Sequence, residues 1–383
     1  MLTEREIEQF GFENERIFYN LESKIIEDIV RRIKKTEGIT NTADFQLNRL
    51  RQLGYSTEDI KDMLTEALGA SDEYIDKLYE DVLQKEYIIN EKIYKQLNKE
   101  FIKLEDNGLL LNFLESVKAQ TKDTMKNISQ SMGFVTTENG RLISKTLTQY
   151  YRDKIDEIIT DITLGTFDYN STLRKAVKEM TNSGVRFIDY ASGHSNRITV
   201  AARRSVMTGV AQITGEVVDY NANKLNVEYF EVSAHAGARP EHAKWQGKVY
   251  TKEELKSVCG LGSVTGLLGA NCYHTYYPFF PGISERAYTD AELKNYRLDK
   301  PKAYKGKEYT QYEALQLMRR LETTMRAQRE YINGLKVGKA DENTITIERF
   351  KYRTQMAEYK NVAKHFNLKE QRERIYIDGL GRV

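Results

Sequence analysis

The sequence predicts a mainly α-helical protein that carries one small α+β module, with long helices flanking an irregular, loop-rich core near residues 227–282. Three observations lead there. Charged residues make up 30% of the 383-residue chain and prolines number only four, a composition suited to long solvated helices. Apolar residues recur at helical spacing through most of the chain. The rare residue types, by contrast, crowd together. Residues 227–282 hold both cysteines, the single tryptophan, three of the five histidines and three of the four prolines.

At about 100–200 residues per domain, the length implies two or three units. The expected division is an N-terminal helical region at 1–190, a core of one long helix plus the small module at 191–282, and a basic C-terminal helical region at 283–383.

Taken in order, Ile25, Ile29 and Ile33 form one apolar stripe. Thr42 is a plausible N-cap for a helix bearing Phe45, Leu47, Leu50 and Leu53, with Gly54 as its stop. Ser56 and Asp59, three apart, open another short helix. From Arg141, the positions Ile143, Leu147, Tyr151, Ile155, Ile158 and Ile162 keep one face for about five turns, until Gly165. After a glycine hinge at Gly193, one helix is expected from Ser195 to about Asn223. Val200, Arg204, Met207, Ala211, Thr214 and Val218 lie roughly along one side of it.

The texture then changes. "VEYFEV" (Val227–Val232) is β-rich, and "KVYTKEEL" reads as a short strand running into a helix through a Thr251/Glu254 capping box. "CGLGSVTGLLG" (Cys259–Gly269) lacks the lysine and the glycine order of a phosphate loop, and a mobile loop is expected. From Tyr304 onward helices return, with Leu315, Met318, Leu321 and Met325 on one side.

Net charge is +2 overall, which excludes an obviously basic nucleic-acid binder or an acidic tail protein. Residues 301–383 carry 18 Lys+Arg against 11 Asp+Glu, a net of +7, so the remainder sums to −5. Two cysteines make no disulfide framework, and a reducing compartment is the default. The N-terminus shows no apolar signal core, and no apolar run approaches the ~20 residues of a membrane span. A soluble protein made in a cytoplasm is expected.

The chemistry-bearing residues are His235, His242, Cys272 and His274. Two histidines and a Cys-x-His pair about 30 residues on supply the ligand types of a tetrahedral zinc site. Their spacings, H-x6-H and C-x-H, are not standard finger spacings. The preferred reading is a purely structural set, with histidines bonding loop backbone and Cys272 as a buried apolar filler. A third reading makes Cys272 a nucleophile with His235 or His242 as base, although no nucleophile elbow accompanies it. Trp245 and Tyr250 fit the module's core. Pro240 holds the residue before it in extended geometry, which presents Arg239 rigidly for an internal tie between loop and helix.

"HAGARPEHAKWQGKVY" followed by "GLLGANCYHTYYPFFPG" resembles the tailed-phage minor capsid protein 2 family, which is related to the Mu-F-like head morphogenesis proteins. Arg239, Pro240, His242, Gly247 and Lys248 fill that group's R-P-x-H-x-x-x-x-G-K motif. Cys272 and His274 fill the later Cys-x-His. The likeness extends to the preceding helix, with Arg203, Arg204, Thr208 and Gln212, and to "TNTADFQLNRLRQLG". One departure is that many relatives carry arginine where this chain has His194 or Tyr273. The resemblance implies a low-copy structural component of the virion interior, made in the host cytoplasm. Its partners would be the portal or major capsid protein, with packaged DNA touched nonspecifically by the basic C-terminal helices. It implies no enzymatic role, no membrane and no small-molecule substrate. The rival class is a metal- or Cys-dependent hydrolase centred on the four His/Cys residues.

Overall fold

Helical periodicity is realised along most of the chain. The computed structural model describes residues 2–35, 42–163, 168–188, 195–297 and 301–383. Its elements, in order, are α1 (Glu4–Lys35), α2 (Thr42–Ile88), α3 (Glu91–Gln96), α4 (Gly108–Gln130), β1 (Met132–Glu138), β2 (Arg141–Thr146), α5 (Leu147–Thr163), α6 (Tyr169–Ser183), β3 (Arg186–Ile188), β4 (Ser195–Arg197) and α7 (Ile198–Leu225). There follow β5 (Tyr229–Val232), β6 (Val249–Thr251), α8 (Lys252–Ser257), β7 (Tyr276–Phe279), α9 (Asp290–Arg297), β8 (Lys302–Tyr304), β9 (Lys307–Tyr309), α10 (Gln311–Val337) and α11 (Glu342–Phe366). The fold is mainly α with a small α+β module, as the sequence predicts.

Two compact units emerge. One comprises Met1–Asn14, Asp72–Thr124 and Arg203–Leu317; the other comprises Glu15–Ser71, Met125–Ala202 and Met318–Val383.

In the first unit, β5 is the central strand of an antiparallel sheet ordered β6-β5-β7, with Phe230 opposite Tyr250 on one side and Pro278 on the other. Phe230, Val232, Trp245, Tyr250, Leu255, Leu267 and Tyr276 pack with Val218 and Ala222 of α7. The expected capping box opens α8: Thr251 and Glu254 satisfy each other's backbone N–H. Tyr79, on α2, donates its buried hydroxyl to the Val206 carbonyl at 3.1 Å. A β8–β9 hairpin, turned by Lys305 and Gly306 at φ 50° and 79°, stands where the sequence reading placed only helix.

The side of α7 picked out by the sequence is not its buried side. Val200 is 41% exposed and Arg204 is also outside. The buried positions are Ile198, Ala202, Val206, Val210, Ile213 and Val217, a regular i, i+4 (once i+3) stripe. Of the expected line, Thr214 and Val218 are buried. Apolar residues occupy so much of this helix's circumference that two neighbouring stripes fit the pattern, and the one without an arginine is buried.

In the second unit a four-stranded antiparallel sheet runs β2-β1-β3-β4. Sequence periodicity predicts a helix over Arg141–Thr146, yet this segment is β2, with Ile143 paired to Thr136. The helix begins only at Leu147. Thr146 Oγ1 accepts the Gln149 N–H at 3.2 Å and Gln149 Oε1 accepts the Thr146 N–H at 3.1 Å, a reciprocal cap that fixes the start there. Between β1 and β2, Asn139 and Gly140 form a two-residue turn with φ 49° and 76°, the twist that matches paired strands.

Nor does a helix stop at Gly54 or restart at Ser56: α2 runs unbroken through both. A mid-helix glycine costs only about 1 kcal/mol, too little to end a helix of this length. Asp59 lies inside that helix and accepts a bond from Arg32 Nη2 at 2.6 Å. The side chains of Phe45, Leu47, Leu50 and Leu53, and Gly165, Gly193 and His194, lie outside the described residues.

Ile25, Ile29 and Ile33 are buried as expected. Beside them in this unit lies a charged cluster. Arg197 on β4 sits 3.8 Å from Glu22 on α1 and 3.9 Å from Glu330 on α10, both carboxylates buried. Burial pushes both carboxyls above their ordinary value, Glu330 further through the neighbouring Glu22. Nearer the C-terminus, Arg329 donates to both oxygens of buried Asp378, at 2.7 and 2.9 Å, and to the Gly381 carbonyl at 2.8 Å.

Candidate functional site

The site lies between β5 and β7, in the module where the rare residues crowd. The chain leaves β5 at Val232 and returns to pair through the Val232 N–H bond to the Lys248 carbonyl at 3.0 Å. The intervening loop is short of regular structure, so its polar groups must find partners individually. A single 3-10 turn, His242–Lys244, carries His242 inward.

Pro240 is exposed, and Arg239 beside it donates Nη2 to the Ala270 carbonyl at 3.2 Å. The tie joins two loops, where a helix had been the expected anchor. Trp245 is buried, its ring 4.5 Å from that of His242 and 4.9 Å from that of His274. Gly247 has φ +67°, a left-handed backbone that favours glycine, and a Cβ there would press on Leu293 Cδ2 at 2.3 Å. Lys248 Nζ caps the Lys244 carbonyl at 2.9 Å.

The loop around His242 and the stretch Cys259–Gly269 form the two halves of a clasp. Against the expected mobile loop, the latter stretch forms consecutive tight turns, closed by bonds such as Ser263 N–H to Gly260 O at 2.9 Å and Gly269 N–H to Gly266 O at 3.0 Å, and tied across by Leu267 N–H to Cys259 O at 2.9 Å. Gly266 is required there, since a Cβ would fall 2.0 Å from the Gly260 carbonyl oxygen. The turns deliver Cys272 and His274 to the inner side, ahead of β7.

Three of the four sequence-nominated ligands converge. His242, Cys272 and His274 are all buried, with their ligand atoms within 4.8 Å of one another. His242 Nδ1 and His274 Nδ1 are 3.4 Å apart; Cys272 Sγ is 3.7 Å from the first and 3.6 Å from the second. His235 stands outside this set. Its ring packs on that of His274 at 4.4 Å, and its Nδ1 faces the Ala236 carbonyl at 3.2 Å.

Two residues that carry no chemical signature in the sequence orient the cluster. His242 Nε2 meets the Thr265 carbonyl at 2.8 Å, and His274 Nε2 meets Gln246 Oε1 at 3.0 Å. A carbonyl only accepts, so His242 Nε2 carries the proton. Gln246 Oε1 also accepts the His235 backbone N–H at 3.0 Å. That N–H can only donate, which identifies the amide atom as oxygen and protonates His274 Nε2 as well. Burial, with the nearby His235, His242 and Arg239, pushes the His274 imidazole down to about 2. Burial lowers His242 and raises the thiols, Cys259 to about 12. A donor set of two imidazole nitrogens and one sulfur suits a soft divalent cation.

Arg203 and Tyr273 also meet. Arg203 stacks over Phe12 at 4.9 Å and donates Nη2 to the Tyr273 hydroxyl and the Glu8 carbonyl, each at 3.3 Å.

Fold and site define a mainly helical protein whose rarest residues are enclosed in a folded clasp. The chain belongs to the phage minor capsid protein 2 family, which it matches over residues 2–362. It is a phage structural protein. A "Structural protein" of Lactococcus phage LL-H is 23% identical over 285 residues, covering 68% of this chain and 73% of that relative. No solved structure matches the chain. Among the described residues, no helix is long and apolar enough to cross a membrane.

Proposed function

We propose that the protein works inside the phage head, in low copy, bound to the portal or the major capsid protein, and assists head assembly or DNA delivery without catalysing a reaction. The observation that carries this reading is the family match over nearly the whole chain. The structural name of the phage relative agrees with it. The enclosed site supports it too: Cys272 is buried, whereas a reactive cysteine sits partly exposed. Exposed Arg353, Lys360 and Lys364 on α11 offer nonspecific contacts to packaged DNA, and no small-molecule substrate or membrane enters the scheme. Co-expression with the portal protein of the same phage tests the reading. A complex that co-purifies in mild salt is expected, and separation of the two under those conditions overturns portal association.

A further inference from the structure

We propose that His242 Nδ1, His274 Nδ1 and Cys272 Sγ hold one zinc-class cation, which locks the 3-10 turn to the segment entering β7. The first argument is geometric. Tetrahedral zinc with bonds of about 2.0–2.1 Å to nitrogen and about 2.3 Å to sulfur sets its ligands about 3.4 Å apart for N···N and about 3.6 Å for N···S. The observed edges are 3.4, 3.6 and 3.7 Å. Three side chains from two loops, 30 and 32 residues apart for His242 with each partner, form one face of that tetrahedron.

Hydrogen bonding supplies the second argument. Both Nε2 protons are directed at oxygens that can only accept. Both Nδ1 atoms therefore point bare lone pairs at each other. The thiol has one proton for the three facing atoms, and it satisfies one nitrogen at most. A buried lone pair without a donor is costly, whereas one cation satisfies all three atoms.

The surroundings are those of metal ligands. Each histidine donates its remote N–H to a fixed oxygen, which orients the ring and raises its basicity. The His274 backbone N–H lies 3.4 Å from Cys272 Sγ and donates to it. On binding, the Cys272 thiol passes its proton to solvent as the metal–sulfur bond forms. Two imidazoles and a thiolate select zinc over magnesium or calcium. A solvent molecule takes the fourth corner, since His235 is absent from the converging set.

Elemental analysis of the full chain, purified from zinc-supplemented cells and dialysed, should find one zinc per chain. Cys272→Ala and His274→Ala should lose it, His235→Gln should keep it, and Gln246→Leu should weaken zinc affinity by about 10–100-fold. Zinc retained equally in Cys272→Ala overturns the site, and zinc lost in His235→Gln overturns the three-residue ligand set. Cobalt(II) titration of the unaltered protein covers the case of variants that fail to fold. It should give a thiolate-to-cobalt charge-transfer band and tetrahedral ligand-field bands, and their absence overturns the proposal. None of these readouts depends on the portal.

Discussion

Gly209 on α7 lies directly against the hydroxyl end of Tyr79: a Cβ built on it would sit 2.0 Å from the phenol oxygen and 2.4 Å from Cζ. Glycine in a helix interior is ordinarily a loss of about 1 kcal/mol against alanine. Here the sign reverses, because the hydroxyl that blocks the methyl is itself bonded to Val206 O and within 3.1 Å of Thr121 Oγ1. Gly209→Ala should therefore destabilise by about 1–3 kcal/mol, measured by chemical denaturation. In a Tyr79→Phe background the loss should shrink, since the nearest atom is gone. Full additivity of the two changes would count against this contact as the cause.

The buried Arg197 between Glu22 and Glu330 ties stability to pH. Both carboxyls have folded-state values above the ordinary one, so the folded chain holds more protons than the unfolded chain above the ordinary carboxylate range. Stability is then fully present at low pH, as far as these groups go, and is lost as pH rises toward their folded values. Glu330→Gln should flatten that decline, seen as a smaller drop in melting temperature between mildly acidic and mildly alkaline buffer. An unchanged slope would refute the linkage. Arg197→Ala should cost about 3–5 kcal/mol, as it leaves two buried carboxyls without their cation.

How far the sequence spoke depended on which signal dominated locally. Ile25, Ile29 and Ile33, the α8 capping box and the β-rich run at Val227–Val232 were legible because pattern and local chemistry agreed. The β1–β2 hairpin was equally written, in Asn139-Gly140, but Ile143, Leu147 and Tyr151 also satisfy helical spacing. The Thr146/Gln149 cap, which divides strand from helix, settles the conflict. At the site, residue type nominated four ligands. Which nitrogens converge depends on the path of two loops and on the amide of Gln246, a residue whose type announces nothing. His235 is as good a ligand by type as His242, yet only His242 is carried inward on its 3-10 turn.

Charge counting along the C-terminal region meets a similar limit, and it leads to a further prediction. The net of +7 over residues 301–383 includes Arg326 and Arg329, which are 9% and 1% exposed. Arg326 Nη1 donates to the Arg374 carbonyl at 2.7 Å, and Arg329 grips Asp378 with two bonds. Their charges are turned inward, holding the last residues to α10. Asp378→Ala should accordingly cost about 3–5 kcal/mol by stranding a buried guanidinium, and should open the segment after α11 to limited proteolysis before the rest of the chain. Lys360→Glu with Lys364→Glu, on the exposed side of α11, should leave stability nearly unchanged. The same pair should lower DNA affinity and reduce its salt slope by about 2 if the basic face meets phosphates. Equal proteolysis of Asp378→Ala and the unaltered chain would show that the Arg329 pair does not anchor the C-terminal segment.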